Sequence, residues 1–190
     1  MFDAPASTVV PKADITLREA YAYISSDLDA LRATHELRRI TDKAEHRRFK
    51  ATHFRSATFS GTFSRRSAAG LIHHSGLLCV DFDHVGAPSG PSDAVGALRR
   101  ELIADPHFQT LLAFRSPSGD GLKWVVGIDL SRGSQRMWVD SLVAYCTTFY
   151  HHRPDAACSD VCRSCFLPFD AECYLHPDFR SGTYREYCPF

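Results

Sequence analysis

Two carboxylates close an apolar run in "LLCVDFDHV", Leu77 to Val85: Asp81 and Asp83. On a strand, residues i and i+2 point the same way, with Cα atoms about 6–7 Å apart. Carboxylates so placed can grip one divalent cation or bridge two. Without a cation they repel each other and carry a desolvation cost. Mg²⁺ or Mn²⁺ completes its shell with water and phosphate oxygens, so a protein need supply only two or three. The plain alternative is a strand that ends at Asp81 with both acids in water. A third carboxylate would complete a site. Asp160, just ahead of Arg163 and the last apolar strand, is the first choice, with Asp155 and Asp170 as rivals.

The second chemistry-bearing stretch is "RSPSGDGLK", Arg115 to Lys123. A tight Ser/Pro/Gly turn can aim several backbone N–H groups at an anion. Ser116 and Ser118 add hydroxyl donors, and Arg115 and Lys123 flank the turn with charge suited to a triphosphate. A polar hairpin with surface charges is the alternative, and the stretch is not a P-loop. Cys158, Cys162, Cys165 and Cys173 cluster, with one C-x-x-C at 162–165, which would suit zinc. There is no second C-x-x-C, however, and Cys165 begins an apolar strand where a core thiol fits. The pairs His73-His74 and His151-His152 read as hydrogen-bonding or surface residues.

The elements that must position these groups follow from periodicity. Thr16 and Glu19 form a capping-box pattern, and apolar residues at helical spacing predict a helix over 17–38 with a break near Ser25-Ser26. A basic helix follows over 42–50. "FRSATFSGTFSRR" reads as extended structure with a bend. In the strand that follows, Leu78, Val80 and Phe82 share one face, and Cys79, Asp81 and Asp83 the other. "GAPSGPS" is a loop whose Ser92 caps a helix over 93–104. "TLLAFRS" and "LKWVVGIDL" form a hairpin. A long helix over 134–152, a short strand at "SCFLPFD" and an irregular last twenty residues complete the chain. The pattern predicts a mixed α/β (α+β) domain, its sheet mainly antiparallel with helices on one face.

Composition sets the outer bounds. The 190 residues suit one good-sized domain; 44% are apolar and 23% charged. Formal net charge is zero, so no global field draws the chain to nucleic acid or membrane. Yet nine Lys/Arg fall between Arg38 and Arg66 against Asp42 and Glu45, a local surplus that can hold a polyanion or simply solvate a helix face. No stretch resembles a signal peptide or a membrane span. A cytoplasmic protein with no membrane partner is expected, its seven cysteines reduced.

Taken in order, "ATFSGTFSRR", "IHHSGLLCVDFDHV", "FRSPSGDGLKWVV" and "SDVCRSCFLPFDAECYLHP" resemble the VirE N-terminal domain family, common in mobile elements and phages and placed within the archaeo-eukaryotic primase (primase-polymerase) superfamily. The resemblance spans residues 50–178. It implies residues 1–50 as a helical segment packed on the core, 51–180 as an RRM-like catalytic core, and 181–190 as an irregular tail. It further implies nucleotidyl transfer, with Asp81, Asp83 and Asp160 holding two Mg²⁺ or Mn²⁺ ions, and Arg115, Ser116, Ser118, Gly119, Lys123 and Arg163 cradling a nucleoside triphosphate. The basic segment 38–66, including Arg55, Arg65 and Arg66, would carry a single-stranded DNA template. Two features depart from the pattern: Lys123 stands where many members have His, and Ser159 precedes Asp160. Relatives often continue into a helicase or helical primase domain, which would be supplied either by a longer chain or in trans. Two other classes compete. One is a nucleic-acid-binding module without turnover. The other is a haloacid-dehalogenase-like phosphatase with Asp81 as covalent nucleophile, although His84-Val85 stands where Gly-Thr usually follows.

Overall fold

Thr16 opens the first helix: its hydroxyl accepts from Glu19 N at 3.2 Å, while the Glu19 carboxylate accepts from Thr16 N at 2.7 Å. In the computed structural model, which describes residues 1–86 and 93–181, this helix is α1 (Leu17–Ser26). The break expected near Ser25 is real. Asp27 ends α1 and caps α2 (Leu28–Leu37), accepting from Ala30 N at 2.8 Å. Then come α3 (Lys43–His53), β1 (Ser56–Ala57), β2 (Gly61–Phe63), β3 (Leu71–His74), β4 (Leu77–Phe82) and α4 (Ala94–Ile103). The chain continues through β5 (Thr110–Arg115), β6 (Leu122–Gly127), α5 (Gln135–Phe149), β7 (Cys165–Phe166), β8 (Tyr174–Leu175) and α6 (Pro177–Ser181). The cap of α4 is Asp93, which accepts from Gly96 N at 3.1 Å. Ser92, expected in that role, lies outside the described residues, as do the rest of its loop from 87 on and the tail from 182.

The main sheet has the order β4-β6-β5-β8 and is antiparallel throughout. Helices cover both of its faces, not one. Leu78, Val80, Phe82, Trp124 and Val126 pack against Val95, Leu98 and Leu102 of α4 and Val139, Leu142 and Cys146 of α5. On the other face Leu77, Leu112, Phe114 and Val125 meet Leu17, Ala20 and Ile24 of α1. The cause was visible in β5 and β6, whose "TLLAF" and "WVV" run apolar without alternation, as strands buried on both faces do. The two-residue β8 was expected to be irregular. It is too short to show a period, and its place is set by pairing with Leu112 and Ala113. Two small ladders, β1 with β7 and β2 with β3, flank the sheet. Among the described residues no helix is long and apolar enough to cross a membrane.

One carboxylate ties α4, β5 and α5 together. Asp105 accepts from the backbone N–H of His107 at 2.8 Å and Phe108 at 2.6 Å, and from the hydroxyls of Tyr145 and Tyr150. Burial alone would raise its pKa, but these hydrogen bonds, that of Tyr150 first, hold it below the usual range. A carboxyl depressed in the folded state contributes stability above its unfolded pKa and loses it as pH falls through the folded value. Asp105→Asn should therefore cost about 1–2 kcal/mol at neutral pH. The difference from the parent protein should hold down to about pH 4 and close only as pH falls further, through the depressed folded value, as read by urea unfolding across pH.

Candidate functional site

The alternation of β4 sets the site. With Leu78, Val80 and Phe82 turned toward α4 and α5, Cys79 and Asp81 face the opposite side. Asp81 stands directly across from Lys123 of β6 in the strand register, and the two form an ion pair with side chains 13% and 10% exposed. Burial pulls the Lys123 ammonium down, but the adjacent Cys165 sulfur and the Asp81 carboxylate outweigh it. Its pKa is raised, and it stays charged at neutral pH. One residue past the strand, Asp83 is exposed. His84 then takes a left-handed turn with φ of 54°, its Nδ1 2.7 Å from the Asp120 carboxylate. The backbone is pinned there as well, Val85 N donating to Asp120 O at 2.7 Å.

The third acid is Asp155, not Asp160. Asp155 N donates to the Asp81 carbonyl at 2.8 Å, which brings this segment onto the end of β4. Its carboxylate caps the short helical turn Ala156–Ser159, accepting from Ala157 N at 2.9 Å, and also accepts from Arg163. Ligand oxygens of Asp81, Asp83 and Asp155 lie within 4.8 Å of one another, the one such group of His, Cys, Asp or Glu among the described residues. Asp160, at the other end of the turn, spends an oxygen on Cys162 N at 2.9 Å. It borders the same cavity without joining the three. The Nη2 of Arg163 also lies 3.7 Å from Asp81. Three carboxylates thus face two cations, leaving one net negative charge.

These groups border a cavity of about 320 Å³, whose wall includes Asp81, Asp83, Lys123, Arg163, Ser118 and Lys50. Ser116 also lines it, but its hydroxyl is engaged in accepting from Gly121 N at 3.1 Å, so it closes the turn. Gly119 has φ of 89°, a backbone state that suits glycine, and sits under Arg38, whose guanidinium donates to the Pro117 and Ser116 carbonyls at 3.1 and 3.3 Å. Arg115 does not reach the cavity. It lies opposite Leu122, not Lys123, so the one-residue offset turns it to the α4 side. There it donates to Gly119 O at 3.0 Å and to Asp93 at 2.6 Å. It braces the turn from behind.

The three arginines expected on a template divide differently. Arg55 pairs with Asp3 at 3.0 Å and lies over the Tyr23 ring. Arg66 donates to Ala6 O at 2.5 Å and covers Phe2. Both tie the N-terminal segment to the body, and Arg65 alone is exposed. The cysteines form no zinc quartet among the described residues. Cys165 faces Cys79 at 3.9 Å between sulfurs, and Cys173 is in the core. Contact with Cys165 and burial raise Cys79, while burial and then the Asp81 charge push Cys158 up to about 12. Both are neutral thiols at pH 7, a weakly polar wall beside the acids. Lys50 was legible only as one of the nine Lys/Arg between Arg38 and Arg66, and the His84–Asp120 pair had no signal beyond proximity to the motifs.

Fold and site together define an α/β domain with an acidic, cation-braced cavity at one end of an antiparallel sheet. A family model described as BT4734-like, N-terminal domain matches residues 48–175, and the chain belongs to that family. This match, which spans every group around the cavity, replaces the VirE N-terminal domain and primase-superfamily assignment drawn from the four motifs. Short motifs report a local arrangement of charges and turns, which does not by itself separate families. No curated protein and no solved structure matches the chain.

Proposed function

We propose that this domain is a DNA primase/polymerase-like nucleotidyltransferase, joining nucleoside triphosphates on a single-stranded DNA template with Mg²⁺ or Mn²⁺. The observation that carries the reading is the convergence of Asp81, Asp83 and Asp155 beside a cavity that also exposes Ser118, Lys123 and Arg163. Oxygen donors of this kind suit a hard divalent ion, and the net negative charge of the cluster favours one. The chemistry such an ion supplies is activation of an attacking 3′-hydroxyl and neutralisation of the leaving pyrophosphate. Around it, Lys123 and Arg163 hold the carboxylates in place and present donors to phosphate oxygens, and Ser118 adds a hydroxyl. Leaving aside β7, which pairs with β1 instead, the chain order from β4 is β-α-β-β-α-β with α4 and α5 on one face. The run β4-α4-β5-β6-α5 supports an RRM-like core, while β8 takes the edge beside β5.

A second reading, a nucleic-acid-binding module without turnover, is favoured by one feature. Lys123 and Arg163 already act as counter-ions to Asp81 and Asp155, so the acids have partners without a metal. The phosphatase reading loses ground, because the Asp81 carboxylate it would use as nucleophile is already paired with the Lys123 ammonium. The deciding experiment incubates the chain with labelled nucleoside triphosphates, a single-stranded template and Mn²⁺ or Mg²⁺. Dinucleotides that vanish with EDTA are expected. No product with either metal, together with template binding indifferent to metal and nucleotide, would establish the second reading instead.

A further inference from the structure

Helix α3 has a composition that its packing does not explain. It buries none of its residues, so it adds little to the core. It carries Lys43, Arg47, Arg48 and Lys50 against the single acid Glu45. None of the four cations has an ion-pair partner among the described residues, whereas the cations at the cavity's core, Lys123 and Arg163, are paired with its acids. Lys43, Arg47 and Lys50 recur at i, i+4 and i+7 and therefore share a face. That face leads into the cavity: Lys50 lines it beside the acids. The Lys50 ammonium also lies 6.0 Å over the ring of Phe166, which lines the cavity too. Cations in a row that end at an aromatic ring match what a single strand asks of a protein, phosphates on the charges and a base on the ring. A duplex would offer phosphates but no free base face.

We infer that the Lys43–Arg47–Lys50 face of α3 is the track along which a single-stranded nucleic acid enters the cavity, with Phe166 receiving a base. The inference rests on the nucleotidyl-transfer reading for why a strand should end beside Asp83, but not for the binding itself. Within the basic segment 38–66 it places the interface on α3 and away from Arg55 and Arg66, whose guanidinium groups are engaged with the N-terminal segment.

The test is fluorescence anisotropy of a labelled thymidine 20-mer with the full chain, in EDTA and without nucleotide, from 50 to 200 mM KCl. The K43Q/R47Q/K50Q variant should bind at least about tenfold more weakly at the low-salt end. Its slope of log affinity against log salt should shrink by about 2, roughly 0.7 for each lost phosphate contact. Because α3 buries nothing, the thermal midpoint should hold. Should the triple variant misfold, Arg47→Gln alone should remove about 0.7 of the slope. Arg132→Gln, an exposed cation beyond the far end of β6, should change neither quantity. Unchanged affinity and slope in the α3 variants, an equal loss with Arg132→Gln, or tighter binding of a 20-bp duplex would each overturn the track. Loss of product in the catalytic assay with α3-dependent binding intact would sink nucleotidyl transfer and leave the track standing.

Discussion

Asp83→Asn should lower metal-dependent nucleotide incorporation by about a thousandfold while leaving the unfolding free energy within about 0.5 kcal/mol of the parent. Asp83 is the cleanest of the three acids to change. It is exposed and has no ion-pair partner among the described residues, so its loss strands nothing. Asp81→Asn would also stop the reaction, but it would leave the buried Lys123 ammonium without its carboxylate, and a fall in stability would cloud the result. The informative contrast is between Asp155→Asn and Asp160→Asn. Asparagine at 155 can still cap Ala157 N, yet it removes one of the three converging charges, and both activity and Mn²⁺ affinity should drop. Asparagine at 160 can still accept from Cys162 N, and activity should stay within about threefold. Mn²⁺ binding followed by electron paramagnetic resonance reads the metal directly. If Asp160→Asn proves as damaging as Asp155→Asn, the third ligand has been placed on the wrong side of the Ala156–Ser159 turn.

What the sequence disclosed and what it hid follow one physical line. Features fixed by neighbours a few residues away were legible: the Thr16–Glu19 capping box, the break at Ser25-Ser26, and the alternation of β4 that puts Asp81 opposite the apolar face. Features fixed by distant partners were not. Asp155 is drawn to the site by its backbone hydrogen bond to Asp81 O, a contact across 74 positions that no local pattern encodes, while Asp160 was favoured by Arg163 and the apolar strand that follow it and by the family resemblance. The facing of Arg115 was not legible because that of a hairpin flank depends on register, and pairing with Leu122 turns it away from Lys123. Arg55 and Arg66 have partners that charge surplus could not reveal, because it does not say where a charge is used. The short segment from Met1 to Ala13 takes both.

The same reasoning gives Asp170, the other rival for the metal site, a structural task. Its side chain is 6% exposed and pairs with Arg99 of α4, itself 8% exposed, at 3.3 Å. The same carboxylate accepts from Arg115 N at 2.7 Å and from Glu172 N at 3.0 Å. Asp170→Ala would leave a buried guanidinium with only the mostly exposed Glu172 and would orphan the Arg115 N–H. The expected loss is about 3–5 kcal/mol, a large part of an ordinary domain's stability, read as a lower urea midpoint with the slope unchanged. Asp170→Asn, which keeps an acceptor for Arg115, should lose less. Arg99→Met with Asp170→Leu should recover much of the deficit, since breaking a buried pair is costly while replacing both members is not. Because Arg115 holds the turn that carries Ser118, and the strand beside it carries Lys123, folded Asp170→Asn protein should show a raised KM for nucleotide with unchanged Mn²⁺ affinity. Weakened Mn²⁺ binding in that variant would instead return Asp170 to the list of ligands.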